Sequence, residues 1–200
     1  MYTLLKSLEV RQVLIKKDVK IFTPFDFVRI FDISDSKAKY FLETQSKENG
    51  LLLRLKQGLY CLRTDLPSNE EIANSLYKPS YISFEYALTR YGIIPEATYS
   101  VTNATTKVSR EFEVNDIAYT YLTIKKEAYI GFDLIKEDEK LYLIADPEKA
   151  LVDYLYFVAL GLKTLNDRLD LSNLNTDKIK EYSKLFARKR LDLLVKKLIL

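Results

Sequence analysis

Residues 21–62 decide the fold of the first part of the chain, and they read IFTPFDFVRIFDISDSKAKYFLETQSKENGLLLRLKQGLYCL. Thr23 stands where a helix N-cap belongs, Pro24 occupies the first helical position, and Asp26 follows three residues after the cap. This combination is a capping-box pattern, which predicts that a short helix begins here. The apolar residues that share one face of that helix are Phe27, Ile30 and Phe31.

A second helix is predicted after a tight break at Asp32-Ile33. Ser34 is its predicted cap. Asn49-Gly50 is predicted to end it, because Asn and Gly both tolerate the left-handed conformation of a C-terminal cap. The residues that face inward recur at helical spacing and are Ala38, Phe41, Leu42 and Gln45.

Two apolar runs follow the second helix and predict a β-hairpin. Leu51–Leu55 and Leu59–Leu62 are its strands, and Lys56-Gln57-Gly58 connects them. Two short helices joined by a tight turn and followed by a hairpin form the element order of a winged helix-turn-helix, a module that reads DNA. The first helix of this module is predicted over residues 2–17. Its apolar stripe consists of Leu4, Leu8 and Ile15.

Residues 63–70, RTDLPSNE, form a polar connection that contains Pro67 and predict a linker. The predicted domains are therefore a winged helix-turn-helix domain over residues 1–62 and a C-terminal domain over residues 71–200. Ser68 and Ser83 have the positions of N-caps for the first two helices after the linker; the second of these is predicted over Phe84–Tyr91.

The middle of the C-terminal domain alternates polar and apolar residues, as half-buried strands do. One hairpin is predicted from Arg110–Val114 and Ala118–Ile124, and a second from Tyr129–Ile135 and Lys140–Ile144.

Two helices are predicted after these hairpins. Asp146 has the position of a cap for a helix that ends at Gly161, and a last helix is predicted over about residues 177–199. The apolar face of the first helix consists of Ala150, Leu151, Tyr154, Leu155 and Val158. The predicted fold class is therefore α+β, with a winged helix-turn-helix followed by a mixed α/β C-terminal domain that has antiparallel hairpins and a helical tail.

The composition narrows the possible chemistry. The chain has no histidine and a single cysteine, Cys61, so Cys/His metal sites, histidine-based catalysis and an internal disulfide are not expected. The five glycines are scattered, and neither the dinucleotide-binding nor the P-loop glycine pattern is present. The sequence thus predicts a protein that is not an enzyme and binds no cofactor and no metal.

The hydropathy pattern predicts a cytoplasmic protein with no membrane partner. No stretch approaches roughly 18 consecutive apolar residues. The first residues, MYTLLKSLEVRQ, lack the uninterrupted apolar segment of a signal peptide. The lone cysteine also fits the reducing cytosol.

Charge is distributed unevenly along the chain, whose formal net charge is +3. Residues 1–60 carry a net +4, residues 61–160 a net −6, and residues 161–200 a net +5. Two basic ends that flank an acidic middle fit a nucleic-acid surface at the ends, although uneven surface composition would give the same pattern.

Three stretches carry a resemblance to a known protein family. They are LLLRLKQGLYCL at residues 51–62, PSYISFEYALTRYGIIPE at residues 79–96 and IADPEKALVDYLYF at residues 144–157. In their order and spacing they resemble the AbiEi family. Its members are the antitoxins of type IV, or abortive-infection, toxin–antitoxin systems, and they also act as transcriptional regulators.

The resemblance implies a two-domain cytoplasmic antitoxin. The N-terminal domain would bind inverted repeats in double-stranded promoter DNA and act as a repressor of its own operon. The C-terminal domain would help to neutralise a cognate nucleotidyltransferase-like toxin. The second helix of the module is only weakly basic for a DNA-reading helix, because it holds Asp35 and Glu43 beside its three lysines.

The predicted DNA-binding residues lie on two elements of the module. On the second helix they lie off the apolar stripe and near the N-terminus, where such helices meet base edges; they are Ser36, Lys37, Lys39 and Tyr40. On the hairpin they are Arg54, Lys56 and Gln57, which can contact the phosphate backbone. A solvated helix face and an ordinary polar hairpin tip are the alternatives, so a winged-helix protein–protein adaptor without DNA-binding activity remains a second hypothesis.

Two other groups of charged residues have structural explanations. Asp146 and Glu148 fit a helix cap and first turn better than catalysis, and Lys149 fits a local ion pair. The basic residues of the last helix fit solvation first, and contact with phosphate or with an acidic partner second; they are Arg188, Lys189, Arg190, Lys196 and Lys197.

Overall fold

The computed structural model describes residues 5–199 and has the α+β fold that the sequence predicts. The described residues form eight α-helices, one short 3₁₀ helix and nine strands in two sheets. The chain divides into two compact units: the first unit ends at Ser68, and the second unit begins at Asn69. Within the described part of the chain, no helix combines the length and the apolar character needed to cross a membrane.

The first unit consists of three helices and a three-stranded antiparallel sheet in which β3 lies between β1 and β2. Its elements are α1 (Ser7–Lys16), β1 (Ile21–Phe22), α2 (Pro24–Phe31), α3 (Asp35–Gln45), β2 (Leu52–Lys56) and β3 (Leu59–Leu62). The buried core includes Val10, Leu14, Phe22, Phe27, Phe41, Leu42, Leu52 and Tyr60.

Helix α1 differs from the predicted helix in its length and in its buried face. It begins at Ser7, and the predicted stripe residues Leu8 and Ile15 are exposed. The fully buried residues are Val10 and Leu14, four positions apart and therefore on the same face. The prediction for Leu4 lies outside the described residues.

The capping box that starts α2 is confirmed. The Thr23 hydroxyl accepts a hydrogen bond from the Asp26 backbone N–H (3.2 Å), and the Asp26 carboxylate accepts one from the Thr23 backbone N–H (2.9 Å). Hydrogen bonds from Thr23 hold the pKa of Asp26 below its ordinary value. Asp32 then adopts a left-handed conformation with φ of 48°, which makes the tight turn into α3.

Both predicted caps of α3 need correction. The Ser34 side chain makes no capping hydrogen bond; its hydroxyl lies 3.1 Å from the Ser36 hydroxyl. The helix ends at Gln45, before Asn49-Gly50, and Gly50 is not left-handed. Gly50 is required for another reason: a Cβ at this position would lie 2.1 Å from the backbone oxygen of Gln45.

The predicted hairpin is confirmed, with a tighter connection than expected. Lys56 pairs with Leu59, so only Gln57 and Gly58 form the loop, and Gly58 has the positive φ (74°) that such a loop favours. The pairing of β2 with β3 is irregular between Arg54 and Lys56. Such a bulge redirects side chains, and here Arg54 is exposed between two buried leucines.

The second unit is a six-stranded mixed sheet with five α-helices and the short 3₁₀ helix, Lys126–Ala128. Its strand order is β6-β7-β5-β4-β9-β8. Its elements are α4 (Asn69–Leu76), β4 (Ser80–Ile82), α5 (Phe84–Arg90), β5 (Ser100–Thr105), β6 (Arg110–Val114), β7 (Ile117–Thr123), β8 (Phe132–Glu137), β9 (Lys140–Ala145), α6 (Pro147–Leu160), α7 (Thr176–Leu185) and α8 (Lys189–Ile199). The predicted hairpins are β6–β7 and β8–β9, both antiparallel.

The centre of this sheet was not predicted. Strands β4 and β5 pair antiparallel with each other, while β4 runs parallel to β9 and β5 runs parallel to β7. Helix α4 begins at Asn69, inside the segment predicted as the linker.

Helix α6 is capped as predicted, but it is not amphipathic. The Asp146 carboxylate accepts a hydrogen bond from the Lys149 backbone N–H (2.8 Å), and Gly161, with a left-handed φ of 77°, is the C-cap that follows Leu160. Ten of its residues are buried, and they include Glu148, Lys149 and Asp153. The helix therefore passes through the interior of the unit instead of covering it.

The predicted last helix is two helices. Helix α7 ends at Leu185, and Ala187 adopts a positive φ of 44° before α8 begins. In α8, Leu191 and Val195 are buried, whereas Lys189, Arg190, Lys196 and Lys197 are exposed.

We expect limited digestion with proteinase K to cut first between residues 63 and 70. Thr64, Asp65 and Leu66 are exposed, and the division between the two units follows directly. Exposed connections between compact units are preferred cleavage sites. Mass spectrometry should identify two resistant fragments, and a single resistant core spanning residues 50–80 would show that the two units do not fold independently.

Candidate nucleic-acid interface

The packing of α3 decides which of its side chains reach solvent. Ala38, Phe41 and Leu42 are buried in the core of the first unit, so the opposite side of the helix faces outward. The four predicted contact residues of this helix are all exposed: Ser36, Lys37, Lys39 and Tyr40. Tyr40 is the most conspicuous, because 64% of this aromatic residue is exposed.

The hairpin contributes a second set of side chains. Arg54 and Gln57 are exposed, and Lys56 is half-buried. Arg54 belongs to β2, at the bulge, and Gln57 is the first residue of the two-residue loop. The hairpin is held in place by the buried leucines on either side of Arg54.

A groove in the first unit brings part of the two sets together. It has a cavity volume of about 480 Å³, and its walls come from α2, α3 and the hairpin. Lys39, Arg54 and Gln57 all line it. The other four predicted contact residues, Ser36, Lys37, Tyr40 and Lys56, do not belong to its walls.

The exposed face of α3 carries charges of both signs. The Lys39 ammonium lies 4.0 Å from the Glu43 carboxylate, and both side chains are mostly exposed. Asp35 at the start of the helix and Glu43 near its end also line the groove. Exposed pairs of this kind contribute little to stability, so the lysine remains available for a stronger partner.

The apolar part of the groove lining, called its floor below, was not predicted from the sequence. Phe25 lines it although 68% of the residue is exposed, and the Arg29 guanidinium lies 5.7 Å from the centre of its ring. Apolar side chains complete the floor: Pro24, Val28, Ala38, Leu42 and Tyr60. The available signal was that Phe25 lies off the stripe formed by Phe27, Ile30 and Phe31.

The carboxylates of α6 are tied into the structure of the second unit. Asp146 accepts hydrogen bonds from the Tyr182 hydroxyl (2.6 Å) and the Lys178 ammonium (3.2 Å). Glu148 accepts one from the Asn175 backbone N–H (2.9 Å). These contacts attach α7 to the start of α6. They give both carboxylates a structural role, so no catalytic role is needed to explain them.

Asp153 lies at the centre of a closed polar cluster. Its carboxylate accepts hydrogen bonds from the Ser83 hydroxyl (2.8 Å), the Tyr81 hydroxyl (2.9 Å) and the Lys149 ammonium. Asp153 and Lys149 are fully buried. Burial raises the pKa of Asp153 and lowers that of Lys149. The prediction that the Ser83 side chain caps α5 is therefore wrong, because its hydroxyl donates to Asp153 instead.

Comparison with known proteins found neither a family model nor a curated protein that matches this chain.

Proposed function

We propose that the first unit is a winged helix-turn-helix that binds double-stranded promoter DNA, with α3 as the reading helix and the β2–β3 hairpin as the wing. The observation that carries the proposal is the placement of Lys39, Arg54 and Gln57 around one groove, beside the exposed Ser36, Lys37 and Tyr40 of α3. Lysine and arginine bind phosphate or guanine, and a glutamine amide can bind adenine, so this surface has the donors that a duplex requires.

We further propose that the protein is a type IV antitoxin that represses its own operon and counteracts a nucleotidyltransferase-like toxin. The resemblance of residues 51–62, 79–96 and 144–157 to the AbiEi family supports this part. The charge distribution supports DNA binding by the basic first unit, because the acidic middle of the chain repels phosphate.

The second unit has a surface that suits a protein partner. Leu134 on β8 and Leu141 on β9 are more than half exposed, and the register of the hairpin places them on the same face. Strand β8 is an edge strand of the sheet, and exposed apolar side chains at a sheet edge are a common feature of binding surfaces. We assign contact with the toxin, where it is direct, to this hairpin.

Salt dependence tests the DNA-binding function. Affinity for a duplex taken from the chain's own upstream region should fall linearly in a plot of log affinity against log salt concentration. Three phosphate contacts, from Lys37, Arg54 and Lys56, would give a slope of about −2.7. Absence of binding, or binding with no salt dependence, would contradict the proposal.

Replacement of Lys37 and Lys39 together by alanine should weaken duplex binding at least about tenfold and, through loss of the Lys37 phosphate contact, make the salt slope less steep by about 0.9. Both side chains are exposed, so the free energy of unfolding should change by no more than about 0.5 kcal/mol. The matched control is the double replacement of Lys16 and Lys17, which are exposed at the end of α1 and carry the same charge. Equal effects of the two double variants in a gel-shift assay would place the contact surface elsewhere than α3.

The alternative is a winged-helix adaptor that binds protein instead of DNA. The apolar floor of the groove and the exposed Phe25 favour it, because they suit an apolar side chain of a partner. In that case Phe25→Ala should abolish partner binding, and the lysine variants should have little effect.

A further inference from the structure

Glu43 lies on the same exposed face of α3 as the residues proposed to meet DNA. Positions three and four apart are neighbours on a helix surface, so Ser36, Lys39, Tyr40 and Glu43 form one continuous patch. Both Lys39 and Glu43 are mostly exposed, with side-chain exposures of 76% and 65%. A docking of α3 that brings Lys39 and Tyr40 to a duplex therefore brings the Glu43 carboxylate to it as well.

A carboxylate at that surface must find a hydrogen-bond donor. Phosphate oxygens are acceptors and carry negative charge, so they repel it. In the major groove the donors are the amino groups of cytosine N4 and adenine N6, and acidic side chains pair with cytosine N4. The guanine paired with that cytosine presents two acceptors, O6 and N7, which suit a lysine ammonium.

We infer that Glu43 is a specificity-determining residue that accepts a hydrogen bond from a cytosine amino group in the bound duplex, while Lys39 donates to a guanine of the same or the adjacent base pair. The inference rests on the proposed DNA-binding function and adds the base that this position reads. The 4.0 Å contact between Lys39 and Glu43 brings together one donor and one acceptor, the complement of a G·C pair.

The same pair also explains how a weakly basic helix can select a sequence. Where the nearest base edge or phosphate offers only acceptors, the Glu43 carboxylate lowers affinity, whereas at the right cytosine it is satisfied. Glu43 thus reduces binding to unrelated DNA and keeps binding to its target. An exposed acidic residue with no role in recognition would not change base preference.

The test is selection of sequences from a pool of randomised 20-base-pair duplexes, carried out with the full-length protein and with two variants. Glu43→Gln removes the charge and keeps the shape. Glu9→Gln is the matched control, because Glu9 on α1 is also exposed and forms a 4.0 Å ion pair, with the N-cap residue Lys6. Affinity for a single unselected duplex is measured for each protein at one fixed salt concentration.

We expect the wild-type protein and Glu9→Gln to select the same motif. Glu43→Gln should lose discrimination for cytosine at one position by about tenfold, with adenine gaining there because glutamine pairs with it. Its affinity for the unselected duplex should rise. An identical motif for all three proteins would overturn the role of Glu43 while leaving DNA binding intact. Failure of the wild-type protein to bind any duplex would instead overturn the proposed function, and this inference with it.

Discussion

Replacement of Lys149 by methionine should lower the free energy of unfolding of the second unit by about 3–5 kcal/mol. Methionine fills a similar volume, so the expected loss comes from charge and not from a cavity. The Asp153 carboxylate would remain fully buried with its cationic partner removed. Among the described residues, two neutral hydroxyls, from Tyr81 and Ser83, would still donate to it.

A second substitution separates charge from packing. In a Lys149→Met, Asp153→Asn double variant, the amide oxygen can still accept hydrogen bonds from Tyr81 and Ser83, and no buried charge remains. The double variant should therefore be more stable than Lys149→Met alone, although it changes one more residue. Urea denaturation of the full chain, followed by circular dichroism, measures both variants.

The pH dependence of the single variant has a definite sign. Burial raises the pKa of Asp153 even in the wild-type protein, and loss of the cation raises it further. A folded state with a raised carboxyl pKa binds a proton that the unfolded chain releases above about pH 4. The stability of Lys149→Met should therefore fall as pH rises from about 4 to 7, relative to the double variant. Equal pH profiles for the two variants would show that Asp153 is not the source of the loss.

The cluster also illustrates which interactions can be predicted from sequence. The caps at Thr23 and Asp146 were predictable because donor and acceptor lie three residues apart and the geometry is local. Ser83 has the same local pattern, yet its hydroxyl binds a carboxylate 70 residues away. A short-range rule fails where a distant partner offers a charged acceptor in the core.

The central strands were missed for a related reason. Each residue of β4 is buried, and so is nearly every residue of β5, so neither strand alternates polar and apolar residues. The parallel partner of β4 is β9, which lies far along the chain, and the parallel partner of β5 is β7, which is separated from it in sequence by β6. The edge hairpins β6–β7 and β8–β9 were predictable because each has one exposed face and a local turn.

The candidate site also has a part that local sequence patterns predict and a part that they do not. The exposed face of α3 follows from helical periodicity, since Ala38, Phe41 and Leu42 fix the buried side. The groove could not be predicted, because it forms where the hairpin lies against α2 and α3, which are separate elements of the sequence. Its floor residue Phe25 belongs to α2, and the apolar periodicity of α2 predicted only core residues. The sequence shows Glu43 only as an acidic residue among lysines, whereas the structure places its carboxylate 4.0 Å from the Lys39 ammonium.

Replacement of Gly50 by alanine should destabilise the first unit by at least about 3 kcal/mol. The new Cβ would lie 2.1 Å from the backbone oxygen of Gln45, and a backbone atom cannot move aside as a side-chain tip can. The end of α3 and the start of β2 would have to separate. The distance between α3 and the hairpin would then change together with stability.

Gly58→Ala is the matched control, because it adds the same methyl group in the same unit. Gly58 has a φ of 74°, and apart from its chain neighbours no described residue has an atom within 4 Å of the added Cβ, so the cost is backbone strain of about 1 kcal/mol. Comparable losses for the two variants would contradict the close approach at Gly50.

The two glycine variants also connect stability with function. A unit of fewer than seventy residues has only a few kcal/mol of stability, so Gly50→Ala should leave much of the first unit unfolded at 25 °C. Duplex binding should then be lost, while the circular dichroism signal of the second unit and its urea transition persist. If both units unfold together in Gly50→Ala, they stabilise each other. If binding survives unfolding of the first unit, the duplex is held by the second unit, and the basic exposed residues of α8 become the first candidates.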